Sequence, residues 1–206
     1  MPRLTKEQID EEILETAAAL FARHGIGQTS LQRIADAVGY SKTGLLHRFP
    51  TKEALQEATV AHTVDRFERV AAQVAGLPVG RDRDRVVLDE LVTLAETRPG
   101  LVSFTVTSIG QGALSTDRLD VLGEVLFRAF GEALVPGEPL PPEAVTRAVR
   151  ITSAVAGLAV ASLAFGDVPT GTLRADLVAT ALDALGHPTH RTTRSTHQPV
   201  PRTEEN

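Results

Sequence analysis

Residues 29–55, TSLQRIADAVGYSKTGLLHRFPTKEAL, constrain the fold more than any other part of the chain. Leu31, Ile34, Ala35 and Val38 recur at the i, i+3, i+4, i+7 spacing of an amphipathic helix. Thr29 and Gln32 stand at the capping-box spacing, where a hydroxyl and an amide satisfy each other's unpaired backbone donors. Gly39 fits the left-handed position that ends a helix. Ser41 then caps a second short helix, which Phe49-Pro50 closes after about two turns. Two short helices joined by a glycine-bearing turn make a helix-turn-helix, a shape that sets its second helix in a DNA major groove.

The rest of the chain carries helical periodicity as well. A first helix is predicted over residues 5–24, with Ile9, Ile13, Ala17, Leu20 and Phe21 on one side and Gly25 ending it. Three short helices bury too little to be robust, so a long helix over 52–74 is expected to pack across them and lead onward. Further helices are predicted over 82–97, 101–114, 116–134, 142–165 and 172–185, with Arg98-Pro99-Gly100 as a break and a proline-rich link before residue 142. No stretch alternates strictly, so the fold is all-α, of about nine helices. The expected organisation is a DNA-binding domain over 1–52, a connecting helix, and a larger helical domain over 53–186. Residues 187–206 hold almost no apolar side chains and are expected to be disordered.

Charge and composition narrow the function. The net charge is −5, yet residues 23–52 carry a local +4 while everything from residue 53 onward sums to −6. A small basic end on an acidic body suits a protein that presents one face to phosphate. The three lysines are Lys6, Lys42 and Lys52, and the last two fall in the first turns of predicted helices. A cation there opposes the helix dipole, whereas a DNA phosphate is attracted by both. The chain has no cysteine, which excludes disulfides and thiolate metal sites. The most apolar stretch, 151–165, is short of the roughly 20 residues that cross a bilayer. No signal peptide is recognised at the N-terminus. A soluble, cytoplasmic protein without membrane contact is expected.

The segment from Ile34 through Gly39, followed by SKTGLLHRFPTKEAL, resembles the DNA-binding signature of the tetracycline-repressor (TetR) family. The preceding ILETAAALFARHGIGQTSLQRIA extends the resemblance to about residues 9–55, close to a quarter of the chain. Beyond it the chain is similar to the family only in length and helical character. The resemblance implies that the helix after Ser41 is the recognition helix. Lys42 and Thr43 then reach base edges, Gly44 permits close approach, and His47 and Arg48 meet phosphate or base. Thr29, Ser30 and Arg33 would touch the DNA backbone, with Lys52 on phosphate and Tyr40 and Ser41 in the contacting turn. One departure stands out: Leu46 occupies the place where the family usually has a phosphate-binding tyrosine.

For the body, the resemblance implies a homodimer through the last two helices, about 142–185, reading a palindromic operator on double-stranded DNA. It also implies an effector pocket among the middle helices, for which Phe104, Thr107, Ser108, Gln111, Phe127 and Phe130 supply mostly apolar walls with a few polar groups. The expected function is a repressor released by a small, mostly apolar effector, with no cofactor, metal or catalytic residue. An enzyme of helical fold would need a titratable cluster or a phosphate-cradling glycine loop, and neither is visible. An interaction module that has lost DNA binding is favoured by Leu46 and opposed by Lys42, His47 and Lys52.

Overall fold

The structure, a computed structural model, describes residues 5–111, 116–133, 141–166 and 170–188. Among the described residues there are nine helices and no strand. They are α1 (Lys6–His24), α2 (Leu31–Ala37), α3 (Lys42–Arg48), α4 (Lys52–Val74), α5 (Arg81–Thr97), α6 (Pro99–Gln111), α7 (Thr116–Ala129), α8 (Pro142–Ala164) and α9 (Thr170–Leu185).

The buried side chains fall into two clusters. Ile13, Ala17 and Phe21 of α1, Ile34 and Ala35 of α2 and Leu45 of α3 form the first. Leu55 and Val60 of α4 complete it, together with Leu101 and Phe104 of α6. The small head is therefore closed by two helices that also serve the body. Phe104 stacks at a tilt on Phe21, with ring centroids 6.1 Å apart, and so sits in the head core. The second cluster joins α4, α5, α7, α8 and α9 around Val74, Leu88, Phe130, Ile151 and Leu182.

α6 reaches the head through an unusually close approach. The helix starts at Pro99, so the Arg98-Pro99-Gly100 sequence read as a break is the entry to α6. Proline is suited to a first turn, where its missing N–H would be unpaired in any case. Gly100 N donates to Glu15 Oε1 of α1 at 2.6 Å, and Arg98 pairs with Glu11 at 2.8 Å.

Several other expectations are corrected. The cap of α2 is Ser30, whose hydroxyl accepts from Arg33 N at 3.1 Å. Thr29 instead donates to Gly25 O at 2.9 Å and to Leu20 O at 3.2 Å, and Gln32 turns to Asp36. α7 stops at Ala129 rather than near residue 134, because Gly131 takes a left-handed φ of 82° and Glu132 N reaches back to Phe127 O. Residues 114 and 134 lie outside the described residues, as do 189–206 of the expected tail. His187, assigned to that tail, is held by Asp84 at 2.8 Å.

The apolar segment read as too short for a bilayer belongs to a longer helix. Over Ala144–Ala164, α8 is long and apolar enough, by length and composition, to cross one. Its Ile151, Ala154 and Leu158 are nevertheless in the body core, and its Arg147 pairs with the buried carboxylate of Asp84. Those contacts pack one side of the helix against the body.

Candidate nucleic-acid interface and ligand cavity

α2, its turn and α3 are built as the local sequence dictates. Gly39 has φ 70°, Gly39 N donates to Asp36 O, and Tyr40 N donates to Ala35 O, which together form a Schellman end. The Ser41 hydroxyl accepts from Gly44 N at 3.0 Å and starts α3. A Cβ at position 44 would stand 3.2 Å from Ser41 Oγ and 3.7 Å from the Tyr40 ring. Glycine at 44 thus relieves local crowding around the cap.

The expected contact residues divide into two groups. Arg33, Lys42, Thr43 and His47 are exposed on α2 and α3, and Ser30 and Ser41 are exposed caps that flank them. Tyr40 is half-buried beside the cap. Three others are engaged by the protein. Thr29 is buried at 1% exposure, which removes it from any phosphate surface. Arg48 turns back to pair with Asp10 of α1, and Lys52 Nζ donates to Gly27 O at 3.1 Å. These two long cations tie α3 and α4 to α1 and the loop after it. Nothing in the local spacing signalled those partners, which lie 38 and 25 residues away.

A cavity of about 390 Å³ lies among α4 to α8. Its walls include Phe67, Leu91, Val102, Leu122, Phe127 and Val155, and the hydroxyls of Thr105 and Thr152 are the polar groups on the lining residues. Thr105 already donates to Leu101 O at 2.9 Å. Such a volume is in the range of small-molecule sites, and this one offers no charged side chain. Of the six pocket candidates, Phe127 lines it. Phe104 belongs to the head core, Phe130 is wholly buried in the body core, and Ser108 is buried without lining it. Thr107 bonds back to Ser103 O at 2.8 Å, and the side chain of Gln111 lies outside the described residues. The cavity-facing side of α6 is Val102, Thr105 and Val106, a different face from the polar positions that drew attention in the sequence.

Between head and cavity lies a group of charges. His62 of α4 is half-buried, and its Nε2 has no hydrogen-bond partner among the described residues. Burial holds its pKa below the ordinary 6.5, with Arg66 and Arg98 adding to the effect and Glu11 and Asp65 opposing it. Glu15 moves the other way: burial raises its carboxyl above 4.5, against the bonds from α6 and the nearby arginines. A histidine with a depressed pKa costs stability as pH falls from just above 6.5 through its folded value, because the unfolded chain takes the proton first. The raised Glu15 carboxyl has the opposite sign, losing stability as pH rises from about 4.5 through its folded value. His62→Gln is therefore expected to flatten the fall in melting temperature on acidification below about pH 6.5. Parallel melting curves of variant and parent, in which the Glu15 contribution cancels, check this.

Residues 13–59, spanning α1 to the first turns of α4, match the family described as bacterial regulatory proteins, tetR family. Residues 13–59 thus form a TetR-family DNA-binding region. Its relatives include the transcriptional regulator RutR of Escherichia coli, 43% identical over 53 residues, 26% of this chain and 25% of RutR. The transcriptional repressor AcnR of Corynebacterium diphtheriae is 35% identical over 72 residues, 35% of this chain and 38% of AcnR. The chain thus spans well under half the length of these curated relatives. Similarity of fold extends further. FadR of Bacillus subtilis, solved in complex with stearoyl-CoA, superposes with a TM-score of 0.59 at 16% identity, over 85% of this chain and 95% of FadR. The shared fold therefore runs through the body as well as the head.

Proposed function

We propose that this TetR-family chain is a ligand-responsive transcriptional repressor. It acts in the cytoplasm as a homodimer on a palindromic operator and is released by a small, mostly apolar effector. The carrying observation is the capped first turn of α3, where exposed Lys42 and Thr43 stand beside exposed Arg33 and His47. Lysine suits guanine O6 and N7 in the major groove, and the exposed helix ends suit phosphate. One seven-residue helix reads few base pairs, so two copies on a palindrome are required for specificity.

The organisation supports the same reading. The head over about 1–52 is joined by α4 and α6 to a body that holds an uncharged cavity. α4 and α6 serve both parts, so an occupant of the cavity that favours one placement of these helices would also bias the spacing of the two recognition helices. The apolar walls suit an aliphatic or acyl-chain effector, a chemistry compatible with the bound stearoyl-CoA of the similarly folded FadR. AcnR, named a repressor, supports the direction of control.

Selection of bound DNA from a random pool should recover a two-fold symmetric site. Lys42→Ala should weaken binding by about 1–3 kcal/mol per half-site and relax the preference at one base pair. A well-folded protein that retains no specific site at low salt would sink the proposal. Thermal shift against aliphatic acids and alcohols tests the effector class, since a ligand of the native state raises stability by mass action.

A further inference from the structure

Arg48 is a cation of the helix-turn-helix that the fold answers with an acid. It stands in the last turn of α3, three residues after buried Leu45. Its side chain therefore leaves the helix beside the core, away from the exposed face that Thr43 and His47 share at four-residue spacing. There it meets the Asp10 carboxylate of α1, in a pair whose side chains are 21% and 32% exposed. Lys52, by contrast, meets the neutral carbonyl of Gly27, a bond that leaves its charge uncompensated. Arg33 and Lys42 project as exposed side chains. Glu11, next to Asp10, is turned to Arg66 and Arg98, so the two adjacent carboxylates of α1 serve different partners.

We infer that Asp10 is a resident substitute for a DNA phosphate: it holds Arg48 off the duplex and so lowers the electrostatic share of DNA affinity. This rests on the DNA-binding reading above and adds a residue that tunes it. Within the pair two opposite charges act as one neutral unit, which releases no counterion from DNA. For Arg48 to reach a phosphate it must abandon a partly shielded carboxylate and leave an unpaired anion close to a polyanion. That exchange trades one anion for another and adds a like-charge repulsion. The guanidinium nevertheless rides on a long flexible stem, one residue along the chain from exposed His47. Once Asp10 loses its charge, phosphate becomes the anion that Arg48 has to meet, and the withheld cation joins Arg33, Lys42 and Lys52 in attracting the duplex.

The test measures binding of the full chain to a random-sequence DNA duplex across a salt series, with melting curves to confirm folding. Asp10→Asn should steepen the fall of log affinity with log salt by about 0.9 for each copy bound, and raise affinity roughly tenfold per copy at about 0.1 M salt. Arg48→Met added to Asp10→Asn should return the slope to that of the parent. Should Asp10→Asn fold poorly, Asp10→Ala carries the same expectation. A pair that only holds α3 in place would change the melting temperature and leave the salt slope of every variant at the parent value, which overturns the inference. An unchanged slope in Asp10→Asn, with a drop of about 0.9 per copy in the double variant, also overturns it, because Arg48 is then on phosphate in the parent. Both of those outcomes leave the DNA-binding reading standing, whereas a parent that binds no duplex at low salt removes that reading and this inference together.

Discussion

Asp84→Ala is expected to lower the free energy of unfolding by about 3–5 kcal/mol, the loss that follows removal of one partner from a buried ion pair. Asp84 is fully buried in the first turns of α5. Both of its oxygens accept from Arg147 Nη2 of α8 at 2.8 Å, and one faces His187 Nε2, just beyond α9, at 2.8 Å. One carboxylate therefore holds the ends of three helices. Alanine leaves the Arg147 guanidinium, 20% exposed, with Glu132 at 3.5 Å as its remaining acid. For a chain of this length each kcal/mol shifts the melting temperature by roughly 2–4 °C, so a fall on the order of 10 °C is expected in calorimetry. The double change Asp84→Leu with Arg147→Met should recover much of the loss, because it removes both charges together. A shift of under about 1 kcal/mol for Asp84→Ala, at the level of an exposed pair, would show that this clamp contributes little.

That clamp also marks where sequence reasoning reaches its limit. Residues 81–85, RDRDR, are five consecutive charged residues, of which Arg81 and Asp82 are exposed. Arg83 and Asp84 are buried, and the Arg83 guanidinium donates to Ala129 O, Arg128 O and Leu77 O, satisfying the end of α7. The α7 and α8 partners lie more than 40 residues away, where local periodicity carries no information. The helices themselves were legible because each has its own apolar period and its own stop, as Gly25, Gly39 and Pro50 show. The α3 surface was legible for the same reason: Lys42, Thr43 and His47 are exposed as a consequence of local pattern. Arg48 and Thr29 were not, since their roles depend on how α1 crosses the motif. The cavity was the least legible. Its position depends on where five helices fail to fill space, and polar residues on α6 were a poor guide to its walls.

Gly100→Ala is expected to destabilise by about 3 kcal/mol, near the top of the usual range for overpacking. Its Cβ would stand 2.6 Å from the Glu15 carbonyl oxygen, 2.7 Å from Glu15 Oε1 and 3.1 Å from the Ala19 Cβ. The first of these is backbone within α1 and cannot swing aside, so α6 must move away from the head. That movement would stretch the Gly100–Glu15 bond and loosen Leu101 and Phe104 in the head core, while Val102, Thr105 and Val106 shift in the cavity wall. Stability and operator affinity should therefore fall together, although residue 100 is far in sequence from the helix-turn-helix. Gly123→Ala supplies the opposite expectation. Gly123 is in α7 with nothing within 4 Å of its missing Cβ, so alanine should gain up to about 1 kcal/mol of helix propensity. If both glycines respond alike in melting and DNA-binding measurements, backbone entropy rather than the α1–α6 approach governs position 100. Opposite signs, with DNA affinity lost in Gly100→Ala, would identify that approach as the mechanical link between the body and the head.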